Sequence, residues 1–336
     1  MVTLSEGKRM SKVSKRGLGI AVSAVVALML SACGGGVNNA ATSAAPTGAA
    51  LADCGTWSVA MNPWVGYTAS ASVVAEVARQ KLGCTINQKD LDEQVSWQGF
   101  QSGEVDLVVE NWGHPDLVKK YITDASVAVD LGSQGNQGII GYYVPPWFAK
   151  AHPDVTDWKN LNKYADLFKN AESKGKGDWI EGDPSYVTNG KALVKNLKLN
   201  FNVRFLGSEA ALIEAFRAAE TNQKAVIGYF YEPQWFLNEV PLVKVNFPAY
   251  TDGCDADPAK VACDYPPYPL NKVASKKLVD SGSNFAILAK NFKWTNDDQN
   301  AVAKDIEVNK MDPKAAADKW IAANPDKVAA WLQGTK

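Results

Sequence analysis

Residues 105–114 read VDLVVENWGH. The segment from Val105 to Glu110 is mostly apolar without strict alternation, as expected for a strand buried on both faces of a parallel sheet. Trp112 follows where that strand gives way to a loop. In open α/β sheets, the loops after the carboxyl ends of strands line the ligand crevice. This one stretch therefore supplies a core strand and a candidate site residue together.

Moving outward toward the N-terminus, the pattern predicts strands over 56–61 and 85–89 and a short helix over 95–101. It also predicts a helix over 70–82, whose apolar stripe is Val73, Val74, Val77 and Leu82 and whose stop is Gly83. Toward the C-terminus, a Gly/Gln/Asn loop over 132–138 precedes a strand over 139–144 that Pro145 and Pro146 end. A second α/β set follows: a segment near Trp179, a helix over 188–197, a strand over 203–205, a helix over 208–222 and a strand over 225–231. Residues 243–250 are expected to cross back and 284–288 to form a returning strand. The tail over 296–332 is expected to be helical, with breaks at Asp312-Pro313 and Asn324-Pro325. Strands alternating with helices imply parallel βαβ units. The expected fold is α/β with two lobes and two crossovers, lobe one over 53–138 and 249–336, lobe two over 139–248, and a ligand cleft between them.

The first 32 residues read as an address. Lys8, Arg9, Lys12, Lys15 and Arg16 form a basic region, with Met10 a possible second start, and an apolar run of 14 residues, 17–30, follows. It ends in Leu30-Ser31-Ala32-Cys33, the pattern on which a lipoprotein signal peptidase cuts before the cysteine. Residues 33–52 are Gly/Ala/Ser/Thr-rich and read as a flexible tether. Lipidation of Cys33 would hold the folded part on the extracytoplasmic face of the cell membrane. The folded part of ~280 residues is long for one core, in keeping with two lobes.

Removing the five Lys/Arg and Glu6 of residues 1–32 from the chain's 35 basic and 36 acidic residues leaves 30 and 35. A mildly acidic, mixed surface argues against a nucleic-acid partner. Besides Cys33 there are four cysteines, Cys54, Cys84, Cys254 and Cys263. Outside the cytoplasm they suggest two disulfides with three possible connectivities. Cys54 and Cys84 each precede a predicted strand, and Cys254 and Cys263 flank a short loop, so these two pairings are expected. With only His114 and His152 and no Cys-x-x-Cys pair, no metal site is expected. No Gly-x-Ser-x-Gly elbow, His-Glu-x-x-His or phosphate loop occurs, so neither catalytic residues nor a cofactor are assigned.

Eleven tryptophans stand in 336 residues, and several aromatics fall at strand ends. Trp64 lies in MNPWVGY, Trp112 in VVENWGH, Tyr186 in GDPSYVTNG and Tyr231 in GYFYEPQW. A lone tryptophan is more often core than ligand wall. Four rings converging on one cleft would suit a cation without N–H donors, because ring faces are negative. These same segments resemble the glycine betaine/choline-type, OpuAC-like solute-binding proteins of ABC importers, and most of all the ProU-type betaine binders. The resemblance runs over everything after the tether. It implies that Trp112 is one wall of an aromatic box, with Tyr186 and Tyr231 at positions where the family has tryptophans. It also implies that the Val187 and Thr188 amides, with His114, hold a ligand carboxylate. The implied ligand is a quaternary-ammonium solute of the glycine betaine or proline betaine type; choline, carnitine or another trimethylated solute is the alternative. The implied partners are an ABC permease and ATPase. Three acids beside the box, Glu110, Glu181 and Glu232, would favour a choline-like cation if one faced the cleft. A ligand sensor without transport, and an exported enzyme, are the rival classes.

Overall fold

The computed structural model describes residues 54–336; the signal segment, the tether and Cys33 lie outside them. Strand β1 (Thr56–Met61) opens the fold and helix α1 (Val65–Leu82) follows. Helix α1 is buried almost all round, including Tyr67, Val73, Val74 and Val77, which marks a core helix and not an amphipathic surface one. It stops at Gly83, whose φ of 71° is the left-handed conformation that glycine adopts at no steric cost. Strand β2 (Thr85–Asp90), helix α2 (Glu93–Ser102) and strand β3 (Leu107–Asn111) complete the first βαβ units, with β1 parallel to both neighbours.

After the short helix α3 (Pro115–Leu117) comes β4 (Ala128–Val144), a single strand of 17 residues. Its first part pairs antiparallel with β9 (Tyr268–Ser275) as far as Gly138; from Ile139 it pairs with β7 (Ile227–Glu232) instead. Residues 132–138, expected to be a loop, are therefore strand. Their glycines are accommodated by register shifts against β9, with Gly135 at a φ of 101°. Between β4 and β7 run α4 (Pro146–Ala151), α5 (Leu161–Tyr164), β5 (Gly177–Glu181), α6 (Gly190–Asn196), β6 (Phe201–Phe205) and α7 (Glu209–Thr221). The sheet order is β2-β1-β3-β9-β4-β7-β5-β6, and β8 (Val243–Lys244) pairs with β4.

The chain then stays against α6: Asn196 donates to the carbonyls of Ala259 and Val261, and Cys263 packs with Ala192. Both expected disulfides, Cys54–Cys84 and Cys254–Cys263, are present. The returning strand is β9, and not 284–288. Those residues belong to α9 (Asn284–Asn291), which Ser283 caps by accepting from the Ala286 amide and which buries Phe285, Leu288 and Ala289 at helical spacing. Helices α8 (Lys276–Ser281), α10 (Asn296–Glu307), α11 (Pro313–Ala323) and α12 (Pro325–Trp331) finish the chain, broken at the two expected prolines. Among the described residues no helix is long and apolar enough to cross a membrane.

Candidate ligand site

Five aromatic side chains form a circuit around one crevice. The Trp64 ring lies 5.8 Å from Tyr186, Tyr186 6.1 Å from Tyr229, Tyr229 6.0 Å from Tyr231, and Tyr231 5.4 Å from Trp112. The circuit is closed through a carboxylate. Trp64 Nε1 and Trp112 Nε1 both donate to Glu110 Oε2 at 3.2 Å, and Ser70 donates to Glu110 Oε1 at 2.7 Å. The rings, Glu93 and Val187 line this crevice.

Each ring is set by its element. Trp64 is the extended residue capping α1, and Trp112 follows β3. Tyr229 and Tyr231 alternate with Phe230 along β7, so the pleat puts both on one face. Tyr186 belongs to the loop after β5 and donates to the Pro63 carbonyl at 3.3 Å. Gly138 of β4 faces Trp112 so closely that a Cβ there would lie 2.8 Å from the indole.

The four aromatics singled out from sequence are thus brought together, with Val187 beside them. Thr188, next in the chain, is not in the lining. His114 stands behind the wall: its Nε2 is 3.0 Å from Glu93 Oε2. Burial lowers the His114 pKa, but the hydrogen bond and charge of Glu93, with Asp116, outweigh it and leave it raised. Two lining residues, Tyr229 and Glu93, escaped the sequence reading. The period of two that joins Tyr229 to Tyr231 was a usable signal for the first. Glu93 is the first residue of α2, two positions ahead of the helix over 95–101 that the sequence pattern predicts.

Of the three acids beside the box, Glu110 is buried beneath the rings, and burial raises its pKa. Glu232 is half-buried at the end of β7 and outside the lining. Glu181 lies under the Tyr186 loop, where it accepts from Tyr142 Oη at 3.0 Å and Trp179 Nε1 at 3.3 Å. The chain after Tyr186 passes so close that a Cβ on Gly190 would sit 1.9 Å from Glu181 Oε1. The acid that faces the crevice is Glu93, and its Oε1 is buried with no hydrogen-bond partner among the described residues.

Burial pushes the Glu181 pKa up from 4.5 to about 8. Between those values the folded protein holds a proton that the unfolded chain has released. Stability from this group is therefore full below about pH 4.5, declines as pH rises, and is lost by about pH 8, at up to about 1.4 kcal/mol per pH unit. Glu181→Gln, which keeps an acceptor for Tyr142 and Trp179 but does not titrate, should flatten that decline. Melting temperatures of both proteins at pH 5, 6.5 and 8 test this; equal pH slopes would refute it.

Residues 55–323 match the family described as the substrate binding domain of the ABC-type glycine betaine transport system. The chain belongs to this family. It is accordingly a substrate-binding protein of the ABC-type glycine betaine transport family, extracytoplasmic and not an enzyme. It is 26% identical over 328 residues to the trimethylamine N-oxide-binding protein of Pelagibacter ubique (strain HTCC1062), covering 94% of this chain and 99% of that one. Among solved structures it is similar to lactococcal OpuAC in its closed form with glycine betaine, with a TM-score of 0.66, 22% identity and coverage of 83% and 99%. It is also similar to a choline-binding protein in complex with choline, with a TM-score of 0.68, 17% identity and coverage of 84% and 93%. These two likenesses show the two-lobe fold that this substrate-binding protein shares.

Proposed function

We propose that this protein captures a small methylated-ammonium solute between Trp64, Trp112, Tyr186, Tyr229 and Tyr231 and delivers it to an ABC importer. The ring circuit carries the reading. A methylated nitrogen keeps its charge, has no proton to donate, and loses little by leaving water for electron-rich ring faces. Contacts of about 0.5–2 kcal/mol with each of the five rings sum to about 2.5–10 kcal/mol, a range that includes the roughly 8 kcal/mol that micromolar binding requires.

The sequence reading put glycine betaine or proline betaine first. Glu93 argues for reversing that order. Although Glu93 Oε2 faces His114, Oε1 is a buried acceptor without a partner; it suits a cationic group and offers a second carboxylate no donor, so it favours choline or trimethylamine N-oxide over glycine betaine. The Pelagibacter relative, similar over nearly its whole length, bears a name that agrees. The backbone N–H groups of Val187 and Thr188 have no acceptor among the described residues and suit the polar end of either kind of ligand. Calorimetric titration with choline, trimethylamine N-oxide and glycine betaine is expected to give micromolar binding for at least one of the first two. A clear preference for glycine betaine would overturn the role given to Glu93, and silence from all three would overturn the ligand class.

Residues 53–138 and the chain beyond the second crossing would form one lobe, and the chain from 139 to that crossing the other. The contacts of 259–263 with α6 favour a second crossing near Pro266 and Pro267. Cys33, in its Leu-Ser-Ala-Cys box, would carry the lipid anchor. Cys33→Ser should move the protein from the membrane to the soluble fraction, and continued membrane association would refute the anchor.

A further inference from the structure

Glu209 is the first residue of α7, one half of the sheet away from α1, and it is buried. Its Oε2 accepts the backbone N–H of Val65, the first residue of α1, at 2.8 Å. Its Oε1 accepts from Tyr231 Oη and from Gln234 Nε2. Tyr231 and Gln234 lie on or just after β7, in the same part of the chain as Glu209. Val65 follows Trp64 and lies 144 residues away in sequence. One carboxylate therefore joins a ring of the crevice to the start of the helix that carries another ring. The same helix start is held a second time, by Tyr186 at the Pro63 carbonyl.

From this juxtaposition we propose that Glu209 is a positioning residue that latches the two halves together over the ligand and sets how fast the ligand leaves. The proposal rests on the reading of the crevice as the ligand site. Of the three bonds that Glu209 makes, parting the halves breaks the one to Val65; those to Tyr231 and Gln234 travel with Glu209. The amide released is the first of α1, where the helix end carries partial positive charge, so a carboxylate is the acceptor best suited to it. A ligand that packs against Tyr231 fixes the hydroxyl that orients Glu209, and so favours the latched form over the open one.

The donor can be deleted alone. Val65 is the first helical position, and Trp64 before it has φ −139° and ψ 148°, a conformation compatible with a following proline. Val65→Pro removes the N–H without breaking α1. Glu209→Gln weakens the acceptor from the other side. The experiment places a pair of spin labels at the exposed positions Ser102 and Lys224 of the full folded protein and measures their distance distribution without ligand and with saturating choline or trimethylamine N-oxide. Stopped-flow tryptophan fluorescence gives the rates. Each variant should widen the ligand-free distribution and raise the dissociation rate about tenfold, as expected for one bond to a charged group, with association within about twofold. The double variant should do no more than either single one. Wild-type distances and dissociation rates in Val65→Pro, or fully additive effects, would overturn the latch. If neither probe binds the parent protein, the ligand reading fails, and the ligand-free distances decide the latch by themselves.

Discussion

Replacing Trp112 by alanine is expected to weaken ligand binding by about 100-fold or more, the largest single effect at this site. The indole meets Tyr231 edge-on at 5.4 Å and donates to Glu110, so its removal opens the circuit at the point where two supports meet. Loss of one cation–π contact accounts for about 0.5–2 kcal/mol. The gap left beside Gly138 and Leu270 lets Tyr231 relax away from the ligand, and about 2.7 kcal/mol in all corresponds to the expected factor. Trp112→Phe helps separate the two contributions: it keeps a six-membered ring face and loses the smaller ring with its N–H, and should weaken binding by about tenfold. Calorimetry with the best-binding probe, alongside circular dichroism to establish folding, measures both. Binding by the alanine variant within threefold of the parent would refute the role given to this ring.

A comparable loss, now of stability, is expected when Glu110 is replaced by alanine. The carboxylate is the shared acceptor of two indole N–H groups and a serine hydroxyl in a dry environment. Each buried donor left without a partner costs about 1–3 kcal/mol, so the two indoles alone imply about 2–6 kcal/mol. Glutamine should cost much less, within about 1 kcal/mol of the parent. Its carbonyl can accept from both indoles, and its amide can donate to Ser70, whose hydroxyl still has the Gly66 carbonyl as acceptor. Urea unfolding of the two variants decides the matter: if alanine is as stable as glutamine, Glu110 does not hold the tryptophans. The alanine variant should also bind poorly, because both indoles would be free to turn.

Most of the framework can be read from the chain because its strands and helices announce themselves. The alternation of 56–61, 85–89 and 105–110 with helical stretches led to the parallel part of the sheet, and four of the five rings were visible as aromatics at strand ends. The strand through residues 132–138 was hidden because glycine, glutamine and asparagine give no apolar period; its pairing with β9 supplies what the side chains do not. Strand β9 itself was hidden by Pro269 and by Lys272, which is buried yet satisfied by the carbonyls of Lys290 and Phe292. The short apolar run at 285–288 suits a strand or a helix equally, and Ser283 decides for the helix. Glu93 and Glu209 open helices, where acids are common for reasons unrelated to ligands. Only the fold reveals that one faces the crevice and the other reaches across it.

The wall around the crevice is drawn from five stretches scattered between Trp64 and Tyr231, none of which holds a complete pocket. An unfolded copy of the chain consequently has nothing with which to grip the solute, and all of the binding free energy accrues to the finished structure. Solute present at 100 times its dissociation constant would add about 2.7 kcal/mol to the resistance of the whole molecule to unfolding. The cargo thus doubles as a protectant of its own carrier once that carrier has folded.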